Sequence, residues 1–154
     1  MDLEIRKATP YDAKTLATFI MDLDMFSWIN EEDSHSFQDR VATQLSLCLA
    51  DSSHTVLLAV ANGEIIGYAA AHWLPYLILR GPEGYVSELF VREESRGAGA
   101  GALLLAEIKR EAAQRGCSRL SLLNRKSRAS YQRGFYQKHE FEERTDMVNF
   151  VLSL

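Results

Sequence analysis

The sequence predicts an α+β fold: an α/β sandwich with one mixed, mostly antiparallel central sheet and helices on both faces. Three observations predict it. Two β-rich runs, 54–61 and 64–73, meet at Asn62-Gly63, a strong hairpin signal. A further β-rich run, 85–91, leads into a glycine-rich stretch and then a helical pattern over 102–115, in which Leu103, Leu104, Ile108 and Ala112 share a face. The elements follow one another as β-α-α-β-β-β-α-β-α-β-β, and such mixed order argues for helices packed on a central sheet.

The elements are justified in turn. Alternation around Leu3 and Ile5 marks a first strand. Thr9-Pro10-Tyr11-Asp12 opens a helix, with Thr9 as N-cap and Pro10 at the first helical position; Leu16, Phe19, Ile20 and Leu23 form its apolar face. A second helix starts near Ser34, with Phe37, Val41, Leu45 and Cys48 or Leu49 at helical spacing. The two hairpin strands follow, then a loop through Pro75, Gly81, Pro82 and Gly84, then the strand 85–91 and the helix 102–115, which stops at Gly116. Residues 120–123 form a short strand and 127–138 a helix with Ser127 as N-cap. Residues 141–143 and 147–154 close the fold as a pair of strands.

The 154 residues fit a single domain spanning 1–154, with 47% apolar and 25% charged residues as in ordinary globular proteins. No run approaches the roughly 20 apolar residues needed to cross a bilayer. The acidic start, Met1-Asp2-Leu3-Glu4, is no secretory signal. Cys48 and Cys117 make no CxxC pair, so a reduced cytoplasmic setting is expected. A net charge of −4 argues against a nucleic-acid binder, although Arg119, Arg125, Lys126, Arg128 and Arg133 could together meet an anionic ligand. His35, His54, His72 and His139 are scattered without metal-ligand spacing.

The most informative stretch is a strand, a glycine loop and a helix. Val86-Ser87-Glu88-Leu89-Phe90-Val91 precedes Arg96-Gly97-Ala98-Gly99-Ala100-Gly101 and the long helix. Glycines let the backbone approach a ligand closely, and a helix start presents unpaired N–H groups and a positive dipole end. Together they suit a phosphate or pyrophosphate. A Walker loop is excluded because Gly101-Ala102-Leu103 stands where Gly-Lys-Ser/Thr is required. A dinucleotide fingerprint fits loosely over Gly97, Gly99 and Ala102 but lacks the acid expected about 20 residues on.

Two segments resemble the GNAT superfamily of N-acetyltransferases. Ser87-Glu88-Leu89-Phe90-Val91 with the loop through Arg96, Gly99 and Gly101 is similar to the family's cofactor signature. Asn124, Ser130-Tyr131 and Phe135-Tyr136-Gln137-Lys138-His139-Glu140-Phe141 are similar to its downstream segment. The N-terminal strand and helices extend the resemblance over the whole chain. Two departures stand out: Glu140 occupies a position usually held by Gly, and Ala129 aligns with the usual Asn.

The resemblance implies transfer of an acetyl group from acetyl-CoA to a primary amine by direct attack, without a metal. The amides of Gly97, Ala98, Gly99, Ala100 and Gly101, with Arg96, would hold the pyrophosphate. The backbone of Leu89, Phe90 and Val91 would pair with the pantetheine arm and supply an oxyanion donor. Asn124 and Ser130 would add contacts to the cofactor. Tyr136 aligns with the general acid, and Glu88 is either the base or an anchor for the ammonium. By simple alternation Glu88 shares a face with Val86 and Phe90. Asp22, Asp24, Glu31 and Glu32 are alternative attractors of a cation. Trp28, Trp73 and Tyr76 suggest a partly apolar acceptor, and His72 could face it. The acceptor is expected to be a small molecule or a peptide, with no nucleic-acid or membrane partner; a homodimer is compatible with the sequence. A non-catalytic acyl-CoA sensor of the same fold is the alternative.

Overall fold

A computed structural model describes residues 2–154. They form two compact units, one ending at Leu122 and the other running from Leu123 to Leu154.

The first unit contains one sheet. Its strands are β1 (Leu3–Lys7), β2 (His54–Ala61), β3 (Glu64–Leu74), β4 (Glu83–Val91) and β5 (Arg119–Leu122), and they lie in chain order. Neighbours pair antiparallel, except that β5 runs parallel to β4. The helices are α1 (Ala13–Asp22), the single turn α2 (Ser27–Asn30), α3 (Ser34–Leu49) and α4 (Ala100–Gln114). The mixed sheet with helices on both faces is the architecture expected.

Alternation along the strands sorts the core into two layers. Leu57, Ala59, Ala69, Ala71, Trp73 and Val86 pack with Leu104 and Ile108 of α4. On the opposite face Val56, Leu58, Tyr68, Ala70 and Phe90 pack with Leu16 and Phe19 of α1 and Leu45 of α3. The buried alanines of β3 let helices approach the sheet on both sides.

Several boundaries differ from expectation. Thr9 precedes a 3₁₀ turn over Pro10–Asp12 rather than the α-helix itself. Asp12 there accepts the Thr9 amide at 2.7 Å and both Arg6 guanidinium branches at 2.7 and 2.9 Å, which hold its carboxyl down at about 2. Helix α4 begins at Ala100, so Ala100 and Gly101 belong to its first turn and not to the loop. The turn α2 carries no strong periodicity and was not expected.

In the second unit, residues 127–138 form two single turns, α5 (Ala129–Gln132) and α6 (Phe135–Lys138), not one helix. The break falls at Gly134, whose left-handed φ of +66° ends the first turn. The N-cap of α5 is Arg128 rather than Ser127. The expected closing strands at 141–143 and 147–154 are absent, and Met147, Val148, Phe150 and Leu152 are exposed. A strand needs a neighbour for its N–H and C=O groups, and this unit holds no strand with which they could pair.

A polar network ties α4 to the sheet. Buried Glu111 accepts from Thr55 Oγ1 at 2.9 Å and from Arg115 at 2.8 and 3.1 Å. Thr55 Oγ1 in turn accepts the Trp73 indole N–H at 3.0 Å, and the Arg115 guanidinium lies 4.8 Å over that ring. Glu111→Ala should lower stability by about 3 kcal/mol, because Arg115 and Thr55 lose their shared acceptor while Trp73 keeps its own on Thr55 Oγ1. A urea titration measures this; a loss below about 0.5 kcal/mol would show the network to be idle.

Candidate functional site

The site starts from an irregularity in β4. Ala70 pairs with Glu88, but Ala71 pairs with Val86, so Ser87 is an extra residue, a β-bulge. A bulge re-aims the side chains beyond it. Val86 therefore faces α4, whereas Glu88 and Phe90 face α1 and α3, and Leu89 and Val91 return to the α4 side. This corrects the simple alternation that put Val86 and Glu88 on one face.

The same stretch has an open edge. Parallel pairing with β5 covers Glu83 to Val86 and ends at Val86–Leu122. It is clamped where it begins by Arg119 Nε donating to buried Glu83 at 2.7 Å. No strand among the described residues pairs with the outer edge of β4 beyond Val86. The Arg92 amide donates to Ile66 O at 2.9 Å, so by the two-residue period Glu88 and Phe90 point their amides at β3. Leu89 and Val91 then turn their N–H and C=O groups to the open edge.

That edge leads into the glycine loop. After a 3₁₀ turn at Glu93–Ser95, Gly97 and Gly99 adopt φ values of +86° and +88°. Either conformation would strain a side chain, and nothing lies within 4 Å of where a Cβ would sit. Gly99 is the N-cap of α4 and brings no capping side chain, so the first-turn amides have neither an intrahelical partner nor a side-chain acceptor. Arg96 stands beside them, 3.7 Å from Glu93. Exposed glycine backbone, uncapped amides and a positive dipole end fit a pyrophosphate.

On the other face lies a cavity of about 350 Å³. Glu88, Tyr68 and Ala70 of the sheet line it, as do Phe26, Trp28 and Phe37 of the helical side. Tyr68 donates its O–H to Glu88 Oε1 at 3.1 Å. Glu88 is exposed as a residue, while the protein around its carboxylate partly desolvates it. Burial pushes its pKa above the ordinary carboxylate value, and the Tyr68 hydrogen bond opposes the shift. His72 also lines the cavity; its Nε2 lies 2.6 Å from Ser87 Oγ, and burial and His54 lower its pKa. Cys48 joins them with its thiol pKa pushed up by burial and by Glu88, and burial raises that of half-buried Cys117 as well.

The acids near the first helices are committed elsewhere. Asp22 pairs with Arg92, Asp24 accepts from Asn30, and Glu32 binds Arg40. None of these lines the cavity, nor does Glu31. Trp28 and His72 do line it, as the sequence suggested; Trp73 is core and Tyr76 lies on the exposed loop after β3. Tyr68, Phe26 and Phe37 were not singled out, because aromatic residues at strand or helical spacing look like ordinary core. The side chain of Phe90 is buried and its backbone faces β3, so Phe90, unlike Leu89 and Val91, presents nothing to the open edge.

In the second unit, Asn124 Nδ2 donates to Ser130 Oγ at 3.1 Å, so two of the expected contact residues come together. Tyr136 is half-buried, with Phe135 and Phe141 rings 5.0 and 5.9 Å away. Burial raises its phenol above the ordinary value, against Arg128 and Arg133. The turn that carries it ends in a Schellman motif: Phe141 N–H donates to Tyr136 O at 3.0 Å and Glu140 N–H to Gln137 O at 3.1 Å. Glu140 thus takes the C′ position at φ +73°, where glycine is favoured. The unusual Glu is a strained cap.

The comparisons agree with this architecture. The model of the Acetyltransferase (GNAT) family matches residues 18–141. Aminoalkylphosphonate N-acetyltransferase from Salmonella typhimurium (strain LT2) is 30% identical over 140 residues, covering 91% of this chain and 85% of the relative. Aminoglycoside N(6')-acetyltransferase type 1 from Stenotrophomonas maltophilia is 30% identical over 122 residues, covering 76% and 72%. A predicted acetyltransferase with acetyl-CoA from Clostridium acetobutylicum shares the fold at a TM-score of 0.74 and 20% identity, covering 97% and 96%. The family match and these relatives place the chain among the acyltransferases. The chain belongs to the GNAT acetyltransferase family, whose enzymes use acetyl-CoA, and it is an N-acetyltransferase.

Glu140→Gly should raise stability by about 1 kcal/mol, the usual cost of a left-handed non-glycine residue. Chemical denaturation checks it; a neutral or destabilised variant would mean that Glu140 side-chain contacts outweigh the strain.

Proposed function

We propose that this chain transfers the acetyl group of acetyl-CoA to a primary amine of a small molecule or peptide by direct attack. The observation that carries the reading is the continuous path from the open edge of β4 to the uncapped start of α4. An extended arm ending in a pyrophosphate needs such a pair: backbone donors and acceptors along its length, then an anion site at its end. We also take the chain as one acetyltransferase domain, since the family match crosses Leu122. A cytoplasmic location is in keeping with its two free thiols. No helix among the described residues is long and apolar enough to cross a membrane.

When bound, acetyl-CoA supplies a thioester carbonyl for the amine and a thiolate leaving group. In this reading Gly97, Ala98, Gly99, Ala100 and Gly101 hold the pyrophosphate with Arg96 alongside. Leu89 and Val91 pair with the pantetheine arm through the open edge, with Asn124 and Ser130 as further contacts. Glu88 takes the proton of the incoming ammonium, directly or through water. Its raised pKa makes it a stronger base than an ordinary carboxylate, and it lines a cavity that an amine can enter. Tyr136, kept protonated by its raised pKa, protonates the departing thiolate.

Two variants test the roles, with acetyl-CoA binding followed by calorimetry and turnover by free-thiol release. Tyr136→Phe should lower kcat about 10²-fold with cofactor affinity nearly unchanged. An unchanged kcat would remove Tyr136 from the mechanism, and failure of the wild type to bind acetyl-CoA would remove the whole reading. Binding without turnover of any amine would make the chain a sensor. For Glu88 the direction of the pH dependence follows from its shift. The base is active as carboxylate, above a pKa that is itself raised, so kcat/KM falls as pH drops through that elevated value. Glu88→Gln should lose this acidic limb together with about 10²-fold in rate; a wild-type limb that persists in the variant would assign the proton to another group.

A further inference from the structure

The acceptor cavity carries one kind of chemistry along most of its wall. Glu88 is its single carboxylate. Arg40, its single guanidinium, is bound by Glu32 and lies 4.9 Å over the Phe37 ring. Between the rim and the carboxylate runs a chain of rings. Trp28, 60% exposed at the mouth, contacts Phe26 at 5.1 Å between centroids. Phe26 meets Phe90 edge-on at 5.7 Å, and Phe90 meets Tyr68 at 5.7 Å. Tyr68 ends the chain with its O–H on Glu88. Ile29, Val41 and Leu16 complete the apolar wall.

This lining selects among amines. A polycation brings several ammonium groups, and each one buried without a partner is costly; the cavity offers a single carboxylate. A phosphonate is best held by a cation whose charge is not already offset, and Arg40 directs its Nε and Nη2 to Glu32. A flat or branched apolar body is what a ring-lined wall takes out of water with gain. The volume of about 350 Å³ lies at the small end of ligand sites, which run from roughly 300 to 1,000 Å³.

We propose that the acceptor is a small monoamine with an aromatic or branched apolar body, its ammonium at Glu88 and Tyr68 and its body between Phe26, Trp28, Ile29 and Phe37. This rests on the N-acetyltransferase reading and names its substrate class. It also sets this chain apart from what the names of its relatives say they act on, an aminoalkylphosphonate and an aminoglycoside.

Two measurements separate the substrate class from the reaction. The first is the fluorescence of Trp28 without acetyl-CoA, with Trp28→Phe as the blank that leaves only buried Trp73. Phenylethylamine should quench it saturably, and spermidine, kanamycin and aminoethylphosphonate should not. The second is kcat/KM by thiol release over the same four amines. Phenylethylamine should lead by about tenfold or more, the size one filled apolar subsite contributes. Trp28→Ala should raise the KM for phenylethylamine about tenfold and leave that for acetyl-CoA unmoved. A lead for spermidine, kanamycin or the phosphonate overturns the substrate class while N-acetylation stands. Saturable quenching by phenylethylamine with no acetylation of any amine supports the apolar-amine site and overturns the transfer reading. Absence of both quenching and turnover overturns the proposed class.

Discussion

The added residue at Ser87 sets the direction of every side chain that follows it in β4. In register, Glu88 would lie with Val86 against α4, an unpaired carboxylate among leucines and alanines. One extra residue carries it to the opposite face, where Tyr68 donates to it and a cavity opens above it. At the same place β4 and β5 stop pairing, so the backbone of Leu89 and Val91 is left without a strand on its outer edge. One local change thus yields both a directed carboxylate and an unpaired edge. The glycine loop follows only a few residues later, and its position depends on where that edge points.

Much of this was legible in the residues. Asn62-Gly63 marks its hairpin because both positions take left-handed φ, +51° and +80°, which those residue types tolerate. Gly97 and Gly99 mark the loop for the same reason, and the aliphatic repeat behind them marks α4. The bulge was not legible, because an added residue leaves the apolar pattern of a short strand intact on either side of it. Residues 147–154 misled in the opposite way. Their β-rich composition states a preference, but a strand exists only where a ladder partner does. The cavity was hidden because Phe26, Phe37 and Tyr68 have the spacing of core residues, and only their packing leaves a space between them. The unusual Glu140 was visible as a departure, and its cause, a left-handed helix cap, needed the backbone angles.

The electrostatics of the cavity are arranged by subtraction. The chain is acidic, and its first third is rich in carboxylates. Asp12, Asp22, Asp24, Glu32 and Asp33 are engaged by Arg6, Arg92, Asn30, Arg40 and the amide of Ser36. These pairings stiffen loops and helix starts and keep those charges out of the cavity. Glu88 is left as the charge a bound amine encounters, in surroundings where a single ion pair is worth more than in bulk water.

The bulge has a consequence for how such a strand can change over time. Side-chain replacements along β4 alter the shape or polarity of one face at a time, and each can be tested by selection separately. Straightening the bulge at unchanged length would exchange the two faces at once, placing the carboxylate in the oily layer and an aliphatic group in the cavity, whereas removal of Ser87 itself would leave Val86 and Glu88 on opposite faces. The segment is therefore tolerant in composition and intolerant of whatever straightens the bulge. Diversification of the acceptor side is channelled into substitutions on the helices and on alanines such as Ala70, while the opposite facing of Val86 and Glu88 is kept.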